Sequence, residues 1–491
     1  MQELLDKISL LERRLDDVLK RCVALEAENA TLRERVVKLE TENAALRAEN
    51  ADLRARLKKD SSTSSKPPSS DGYRKPSAKD RSLREKTGKK PGGQVGHPGA
   101  TLLQSAKPTD TTTHIACTCG HCGKSLEGGR VAGSESRQVF DIPPPPPVII
   151  HEHVGIMTEC PFCHKITPGA FPAGVNAPVQ YGPRIKALTV DIVQGNMVAL
   201  KRCAALIESL TGMHVSKGTV MKFILECAED LEPWRKSVLG MILKSAIAHF
   251  DETGIRCLGK LRWLHSASTE FLTLLHIHER RGKEGSDAGG ILPFFTGNAS
   301  HDCWGAYFRY LNCSHNPCRA HFLRELDALV RDRKGQSWAA RMKALLLEMK
   351  KARDKAERRG KRLVAPIDIL LFERRFDEIL DLAFAENPDK SGRKGCRVAF
   401  NLATRLRKLR DETLSFLWNV NIPFTNNQAE RDIRMVKVKT KVSGCFRSAI
   451  GADAFASIRS YISTAAKNGV DAFKALVQAF EGKPFLPQMQ V

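Results

Sequence analysis

The stretch SAIAHFDETGIRCLG, residues 245–259, is the first of three consecutive segments with the composition of β-strands. The next two, KLRWLHSAST and EFLTLLHIHER, are also rich in β-branched and aromatic residues, and glycine or polar residues separate all three. This pattern predicts a β-meander, with Asp251 at the end of its first strand. An aspartate in that position either forms a turn or presents a carboxylate at the edge of a sheet.

Two more acidic residues follow in distinctive surroundings. Asp302 precedes a turn in GNASHDCWGAYFRY, and a long, charged segment with helical character then covers about 319–420. Glu430 lies in PFTNNQAERDIR, where Asn427 and Glu430 have the spacing of a helix N-cap and its capping-box carboxylate. Glu430 therefore either closes the start of a helix or is a reactive group that the helix presents.

Three carboxylates, two from strand ends and one from a helix, have the hard oxygen atoms that a pair of Mg²⁺ ions needs. Two such ions activate a water or a 3′-hydroxyl and stabilise the leaving oxygen during attack on a phosphodiester. The chain has 55 Asp and Glu residues, however, so three isolated carboxylates do not by themselves establish a site.

The charge of the whole chain favours a polyanionic partner. Its 78 Lys and Arg residues against 55 Asp and Glu give a net charge of +23. Such a field concentrates nucleic acid near the surface, although ribosomal-type or membrane-surface binding also fits it. Apolar runs of about 18 residues are absent and the N-terminus MQELLDKISLLERRL is charged. These features predict a cytoplasmic protein without a membrane partner, associated with the nucleoid when bound to DNA.

Residues 1–59 predict a parallel dimeric coiled coil, and hence a homodimer. An apolar residue recurs every seven positions, as Leu4, Leu11, Val18, Leu25, Leu32, Leu39, Leu46 and Leu53. Asn29, Asn43 and Asn50 fall at the other seam position, where paired amides fix the register of two strands. The alternative is a helix folded back onto its own domain. Residues 60–113, rich in Ser, Pro, Gly and Lys, predict a disordered basic linker.

Residues 114–168 predict a zinc ribbon. Two Cys-x-x-Cys pairs flank an extended segment, and four thiolates suit tetrahedral Zn²⁺ as a structural ion. The predicted ligands are Cys119, Cys122, Cys160 and Cys163, with Cys117, His121 and His164 as substitutes. The alternative is a set of unligated cytosolic cysteines. The gap between the two pairs is longer than in the tightest zinc fingers.

Residues 178–238 predict a helical, helix-turn-helix-like DNA-binding region. A helix is followed by the turn TGMHV and a second helix that begins at Ser216, with Lys217 and Lys222 exposed to DNA. Helical linkers share this pattern, so a region that does not read DNA is the alternative.

The segments DETG, DCWGAY, CRAH, NNQAER and GCFRSAIGADAFASIRSYISTAAKNGVDAF, in that order, resemble the insertion sequence 66 family of bacterial DDE transposases. NNQAER is the most specific of them. The heptads, the SSKPPSSDG and KKPGGQVGHPG segments and the paired cysteines also occur there in this order, so the resemblance covers nearly the whole chain. It implies cleavage and strand transfer of double-stranded DNA at the ends of a mobile element, and in many members two small accessory proteins.

The resemblance implies a catalytic triad of Asp251, Asp302 and Glu430 on an α/β RNase H-like core, here residues 243–480 with a helical insertion at about 319–420. We expect Asp251 to bridge two Mg²⁺ ions, and Asp302 and Glu430 each to complete one. The family usually has glycine and tyrosine directly after the second aspartate, and Cys303 and Trp304 stand there instead. That departure puts the geometry of the turn in question more than the ligand.

Several further residues receive roles. Cys318 and His321 match a Cys-x-x-His element of the family, which either binds metal or braces the insertion, and a buried Cys beside a satisfied His is the alternative. Asn426 or Asn427 is the expected helix cap. The predicted phosphate contacts, which are otherwise a solvated basic face, are Lys217, Arg431, Arg434, Lys437 and Lys441.

Two other functions fit parts of the sequence. A catalytically inactive dimeric zinc-containing DNA-binding protein, either a regulator or a decayed transposase, would explain the coiled coil, the cysteines and the charge. A structure-specific nuclease on the same core would cut junctions without joining ends. Only catalysis accounts for all three carboxylates in their motifs.

Overall fold

The structure, a computed structural model, describes residues 2–57, 102–141, 148–332, 335–388 and 397–488. These described residues belong to two compact units. The first takes in residues of 1–76, 179–204 and 215–491, and the second takes in residues of 77–178 and 205–214. Most of the predicted linker, as far as residue 101, lies outside the described residues. None of the helices in the described part is both long and apolar enough to cross a membrane.

The N-terminal segment is one helix, α1 (Gln2–Leu57), as its sequence predicts. Four seam leucines with described side chains, Leu25, Leu32, Leu39 and Leu46, are 48% to 60% exposed in the single chain. Exposed leucines at seven-residue spacing leave an apolar stripe that a second helix would cover. The pairing of two chains remains a prediction.

The second unit contains one small sheet. Its strands β1 (Met157–Glu159) and β2 (Ile166–Pro168) pair antiparallel, with Glu159 opposite Ile166. A single bridge between Thr118 and Ser125 closes a second, shorter hairpin. Each hairpin turns around one Cys-x-x-Cys pair.

The region that precedes the large sheet is helical. Ser216 caps its fourth element, because the Ser216 hydroxyl accepts a hydrogen bond from the Thr219 N–H at 3.0 Å. This confirms the predicted serine-capped start. The elements are α2 (Pro183–Val190), a π-helical turn (Asp191–Gly195), α3 (Leu200–Thr211), α4 (Lys217–Asp230) and α5 (Glu232–Leu243).

A five-stranded mixed sheet is the centre of the first unit, in the order β5-β4-β3-β6-β7. The first three strands form the predicted antiparallel meander, and β6 and β7 then run parallel to β3. Leu258 and Gly259, with φ of 52° and 75°, make the tight turn between β3 and β4. The strands are β3 (Ile247–Cys257), β4 (Lys260–Ser268), β5 (Thr273–His278), β6 (Asn298–His301) and β7 (Ser314–Pro317).

The prediction that the first strand ends at Asp251 is wrong, since β3 continues to Cys257. The reason is that β3 has two different neighbours. Its antiparallel pairing with β4 continues through Asp251 to Cys257, whereas its parallel pairing with β6 ends at His249. Asp251 therefore lies inside a strand but just beyond the parallel part of the sheet.

After a short helix, α6 (Lys283–Ala288), and β7, five helices precede the segment that carries Glu430. They have their own apolar core, which includes the fully buried Trp338, Met342 and Phe376. This core stabilises the insertion. The helices are α7 (Arg319–Asp332), α8 (Ser337–Arg358), α9 (Pro366–Glu386), α10 (Arg397–Lys408) and α11 (Arg410–Trp418).

Three C-terminal helices complete the first unit: α12 (Asn427–Ser443), α13 (Ala449–Lys467) and α14 (Ala472–Phe480). Helix α12 packs on the sheet through Ile433 and Val436. A buried ion pair at 2.9 Å between Asp432 and Lys467 joins α12 to α13. Glu430 is therefore carried by a helix that is fixed to both the sheet and its neighbour.

Candidate active site

Strand register brings Asp251 and Asp302 side by side. In the parallel pairing of β3 with β6, the last partners are His249 and Ser300. Each aspartate lies two residues beyond its paired residue, so both occupy the same level, just beyond the end of the parallel pairing. Neighbouring strands are about 4.8 Å apart, which places two acidic side chains at one edge of the sheet.

Neither aspartate has a salt-bridge partner in the described part of the chain, although the charge of Arg281 acts on Asp302. Asp251 Oδ1 accepts a hydrogen bond from the Glu252 N–H at 2.8 Å, and Asp302 Oδ1 accepts one from the Trp304 N–H at 3.0 Å. Within the described residues, neither carboxylate forms a side-chain hydrogen bond or a salt bridge. The two acids thus have oxygen atoms that are not committed to the protein.

The surroundings favour protonation of both acids. Burial raises the pKa of Asp251 well above its usual value, and the negative charges of Glu252, Asp302 and Glu430 raise it further. Burial, together with the charge of Glu252, also raises the pKa of Asp302 to about 7. A bound cation would relieve this repulsion, and carboxylate oxygens are the ligands that Mg²⁺ prefers. The donor set therefore fits a divalent metal ion.

Glu430 approaches the aspartates from the first turn of α12. Its side chain is 42% exposed, and its Oε1 lies 3.6 Å from Nη2 of Arg324 on α7. No group of three or more acidic, histidine or cysteine side chains in the described part of the chain is close enough to hold a metal ion. Asp251 and Asp302 are therefore the close pair, and Glu430 is near enough to act on them by charge.

The predicted capping box does not form. The N-cap of α12 is Asn426 rather than Asn427, and no side chain caps the helix. Glu430 instead pairs with Arg324. Asn427 and Glu430 have the spacing of a capping box. Asn427 is already the first helical residue, however, and the side chain of the preceding Asn426 bonds to other groups.

Asn426 fastens the start of α12 to the sheet. Its Nδ2 donates to the Phe250 carbonyl at 2.7 Å, and its Oδ1 lies 2.9 Å from His249 Nδ1. Both partners immediately precede Asp251 in β3. Asn426 occupies the N-cap position, as one of the two predicted cap residues, but its side chain fixes the distance between the helix of Glu430 and the strand of Asp251. The local sequence contains no signal for this contact.

The Cys318 side chain makes a structural contact, whereas Nδ1 of His321 lacks one within the described residues. The Cys318 sulfur accepts a hydrogen bond from the Asn426 N–H at 3.1 Å, which favours the bracing role. Nδ1 of His321 is buried and, among the described residues, has no hydrogen-bond partner. Burial lowers the pKa of His321 to about 3, so the ring is neutral. The pair belongs to no group of three or more potential metal ligands in the described part of the chain, and metal binding by it stays a prediction.

The four predicted zinc ligands form two separate pairs. Backbone N–H groups of His121 and Cys122 lower the pKa of Cys119, and the equivalent groups of Phe162 and Cys163 lower that of Cys160. Thiolates are the form that binds zinc. Nevertheless, the described residues do not gather three or more such ligands at one point. The predicted zinc ribbon is therefore not supported, because two thiolates are too few for a structural zinc.

The basic residues beyond Glu430 follow one side of α12. Arg434, Lys437 and Lys441 are four, seven and eleven positions after Glu430, which is the spacing of one helix face. Arg431, Arg434 and Lys441 are exposed, as is Lys217 at the start of α4. This face leads away from the acidic edge of the sheet and has the charge to contact phosphates.

Comparisons with known proteins identify the class of this chain as a transposase. The model of the transposase IS66 family matches residues 178–454, more than half of the chain. The protein therefore belongs to the IS66 family of transposases, as its motifs predict. A second model, a family of unknown function (DUF6444), matches residues 17–102. A search of curated proteins finds no match.

Proposed function

We propose that this protein is a DDE-type transposase that uses Mg²⁺ to cleave the ends of a bacterial insertion sequence and to join them to target DNA. The observation that carries the proposal is the pair Asp251 and Asp302, in register on parallel strands and without a salt bridge in the described part of the chain. Glu430 from α12 completes the triad. Membership of a transposase family supports DNA as the substrate.

The core has the features expected of an RNase H-like fold. Three antiparallel strands are followed by two parallel strands. The acid Asp302 comes directly after β6, the parallel neighbour of the central strand β3. A helix packed on the sheet carries the third acid. These features support the assignment of residues 243–480 as the catalytic domain.

Asp251, Asp302 and Glu430 would together hold two metal ions. Mg²⁺, when bound, supplies charge stabilisation and an activated oxygen nucleophile. Asp251 would be the shared ligand, and Asp302 and Glu430 would each hold one ion. The backbone N–H groups of Glu252 and Trp304 orient the two aspartates.

Arg324 competes with metal for Glu430, and we expect its removal to tighten metal binding. Two unit charges about 4 Å apart interact by roughly 1 kcal/mol in water, so Arg324→Gln should increase Mn²⁺ affinity by up to about fivefold. A titration of free Mn²⁺ by electron paramagnetic resonance measures this. Arg431→Gln is the matched control, because Arg431 bonds to Gln428 instead of an acid. Unchanged affinity in Arg324→Gln would contradict the competition.

The basic face of α12 is proposed to contact the DNA backbone. Each lost phosphate contact reduces the slope of log K against log salt by roughly 0.9, so Arg434→Gln with Lys441→Gln should reduce it by about 1.8. The affinity of a duplex measured from 50 to 200 mM salt tests this. The control replaces Lys343 and Lys350, which pair with Asp327 and Asp354. A full slope in the α12 variant would exclude these contacts.

Other partners follow from the same proposal. The exposed leucine stripe of α1 supports a parallel homodimer, and two such chains would allow both element ends to be held together. Helices α3 and α4, with the exposed Lys217, are proposed as a second DNA contact. Small accessory proteins are an expectation from the family resemblance alone.

A combined cleavage and joining assay tests the function. Duplexes that carry the two ends of the element are incubated with Mg²⁺ and the full chain, and both nicked and joined products are measured. Products of both kinds support a transposase. Cleavage of branched DNA without joining would favour a structure-specific nuclease, and binding without any product would favour an inactive DNA-binding protein.

A further inference from the structure

Glu252, the acid beside Asp251, is fully engaged by the protein. Arg281 donates from Nε and Nη2 to its Oε1, at 2.8 and 2.6 Å. The hydroxyl of Tyr307 donates to Oε2. Glu252 is only 2% exposed and both its oxygens accept hydrogen bonds, so its carboxylate is engaged by the protein. Its partners come from elsewhere in the chain: Arg281 follows β5, and Tyr307 belongs to the loop after Asp302.

The same groups hold the loop that begins at Asp302. The Arg281 guanidinium lies 4.2 Å from the ring centre of Trp304, two residues after Asp302. The Tyr307 ring stacks on His301 at 4.6 Å and meets Trp304 edge-on at 5.8 Å. The loop is therefore attached to the Glu252 carboxylate at two points, directly through Tyr307 and through the Arg281 guanidinium at Trp304. Trp304 is one of the two residues, with Cys303, at which this chain departs from the family pattern.

We propose that Glu252, Arg281 and Tyr307 form a positioning brace that fixes the Asp302 loop against β3 and so sets the spacing of the two aspartates for metal ions. The brace rests on the proposed function, because it presumes a metal site at Asp251 and Asp302. None of its three residues touches the metal or the DNA. Removing groups that orient metal ligands typically lowers metal affinity by about 10- to 100-fold.

The chain provides a matched pair of variants to test this. Tyr307 and Tyr310 are both buried, at 2% and 3% exposure, and both donate a hydroxyl hydrogen bond to a carboxylate. Tyr307 bonds to Glu252, whereas Tyr310 bonds to Asp287 on α6 at 2.7 Å. Replacing either with phenylalanine removes one oxygen and keeps the ring. A merely structural role predicts the same behaviour for both.

The measurement is Mn²⁺ affinity of the full-length protein by electron paramagnetic resonance, with the melting temperature as a second readout. We expect Tyr307→Phe to bind Mn²⁺ about 10-fold more weakly than wild type, and Tyr310→Phe to bind it like wild type. The melting temperatures of the two variants should fall by similar amounts. Equal Mn²⁺ affinity in both variants, whether reduced or unchanged, would overturn the brace.

Asp251→Asn separates the two proposals. Mn²⁺ binding that does not need Asp251 contradicts the proposed function and the brace with it, whereas binding that needs Asp251 but not Tyr307 contradicts the brace alone.

Discussion

Asp251→Asn should abolish both cleavage and joining while leaving DNA binding intact. Replacing the carboxylate by an amide removes one negative charge and one oxygen ligand from the position proposed as the shared ligand. Loss of one preorganised electrostatic group typically costs about 10²- to 10³-fold in rate, and a shared metal ligand should reach at least that. The initial rate of nicking and the yield of joined product, at saturating Mg²⁺ and DNA, measure the effect.

The amide also separates catalysis from stability. Because burial and neighbouring acids raise the pKa of Asp251, its charged form is costly in the folded protein. Asp251→Asn is therefore expected to leave the melting temperature unchanged or to raise it, in contrast to the loss of activity. Asp327→Asn, which breaks the surface pair with Lys343, is the control and should keep full activity. An active Asp251→Asn protein would exclude the metal mechanism.

The sequence was sufficient for the features that depend on nearby residues. The meander follows from β-branched composition, and the Ser216 cap from a serine that directly follows the turn TGMHV. The acids Asp251 and Asp302 stood out through their motifs. Their register could not be predicted, because it depends on β3 pairing with a strand 51 positions further along the chain.

Roles that depend on partners far away in the sequence cannot be predicted from the local sequence. Asn426 reaches the Phe250 carbonyl across 176 positions, and nothing in NNQAER distinguishes that contact from a cap. Glu252 sits beside a motif aspartate, and only Arg281 and Tyr307 show that it has a different role. The two cysteine knuckles form locally, through hydrogen bonds from Gly123 to Cys119 and from His164 to Cys160. Whether the two Cys-x-x-Cys pairs meet at one site depends on the tertiary fold, which the spacing of the cysteines does not determine.

The largest expected loss of stability comes from Arg319, the arginine of CRAH. Its side chain is fully buried where β7, α11 and the segment before α12 meet. It donates to the carbonyls of Thr413 at 3.0 Å and Pro423 at 3.3 Å, and to the Ser415 hydroxyl at 3.0 Å. Further acceptors are the Asn316 side chain and the Glu412 carbonyl. The guanidinium thus joins the helical insertion to the approach of Glu430, and its partners in the described chain include no carboxylate.

Arg319→Met should destabilise this junction by roughly 3–5 kcal/mol, because each buried acceptor left without a donor costs about 1–3 kcal/mol and such losses are not additive. Arg319→Lys should recover little, since one ammonium cannot reproduce a planar fork of donors. Arg374→Ala is the control: its side chain is 79% exposed and pairs with Glu378 one turn away, so we expect a change within about 0.5 kcal/mol.

Hydrogen exchange of α11 amides measures the local free energy of opening. If α11 stayed fully protected in Arg319→Met, the apolar core of the insertion alone would hold it to the sheet. Faster exchange in α11 together with weaker Mn²⁺ binding would instead mean that Arg319 transmits the position of the insertion to Glu430.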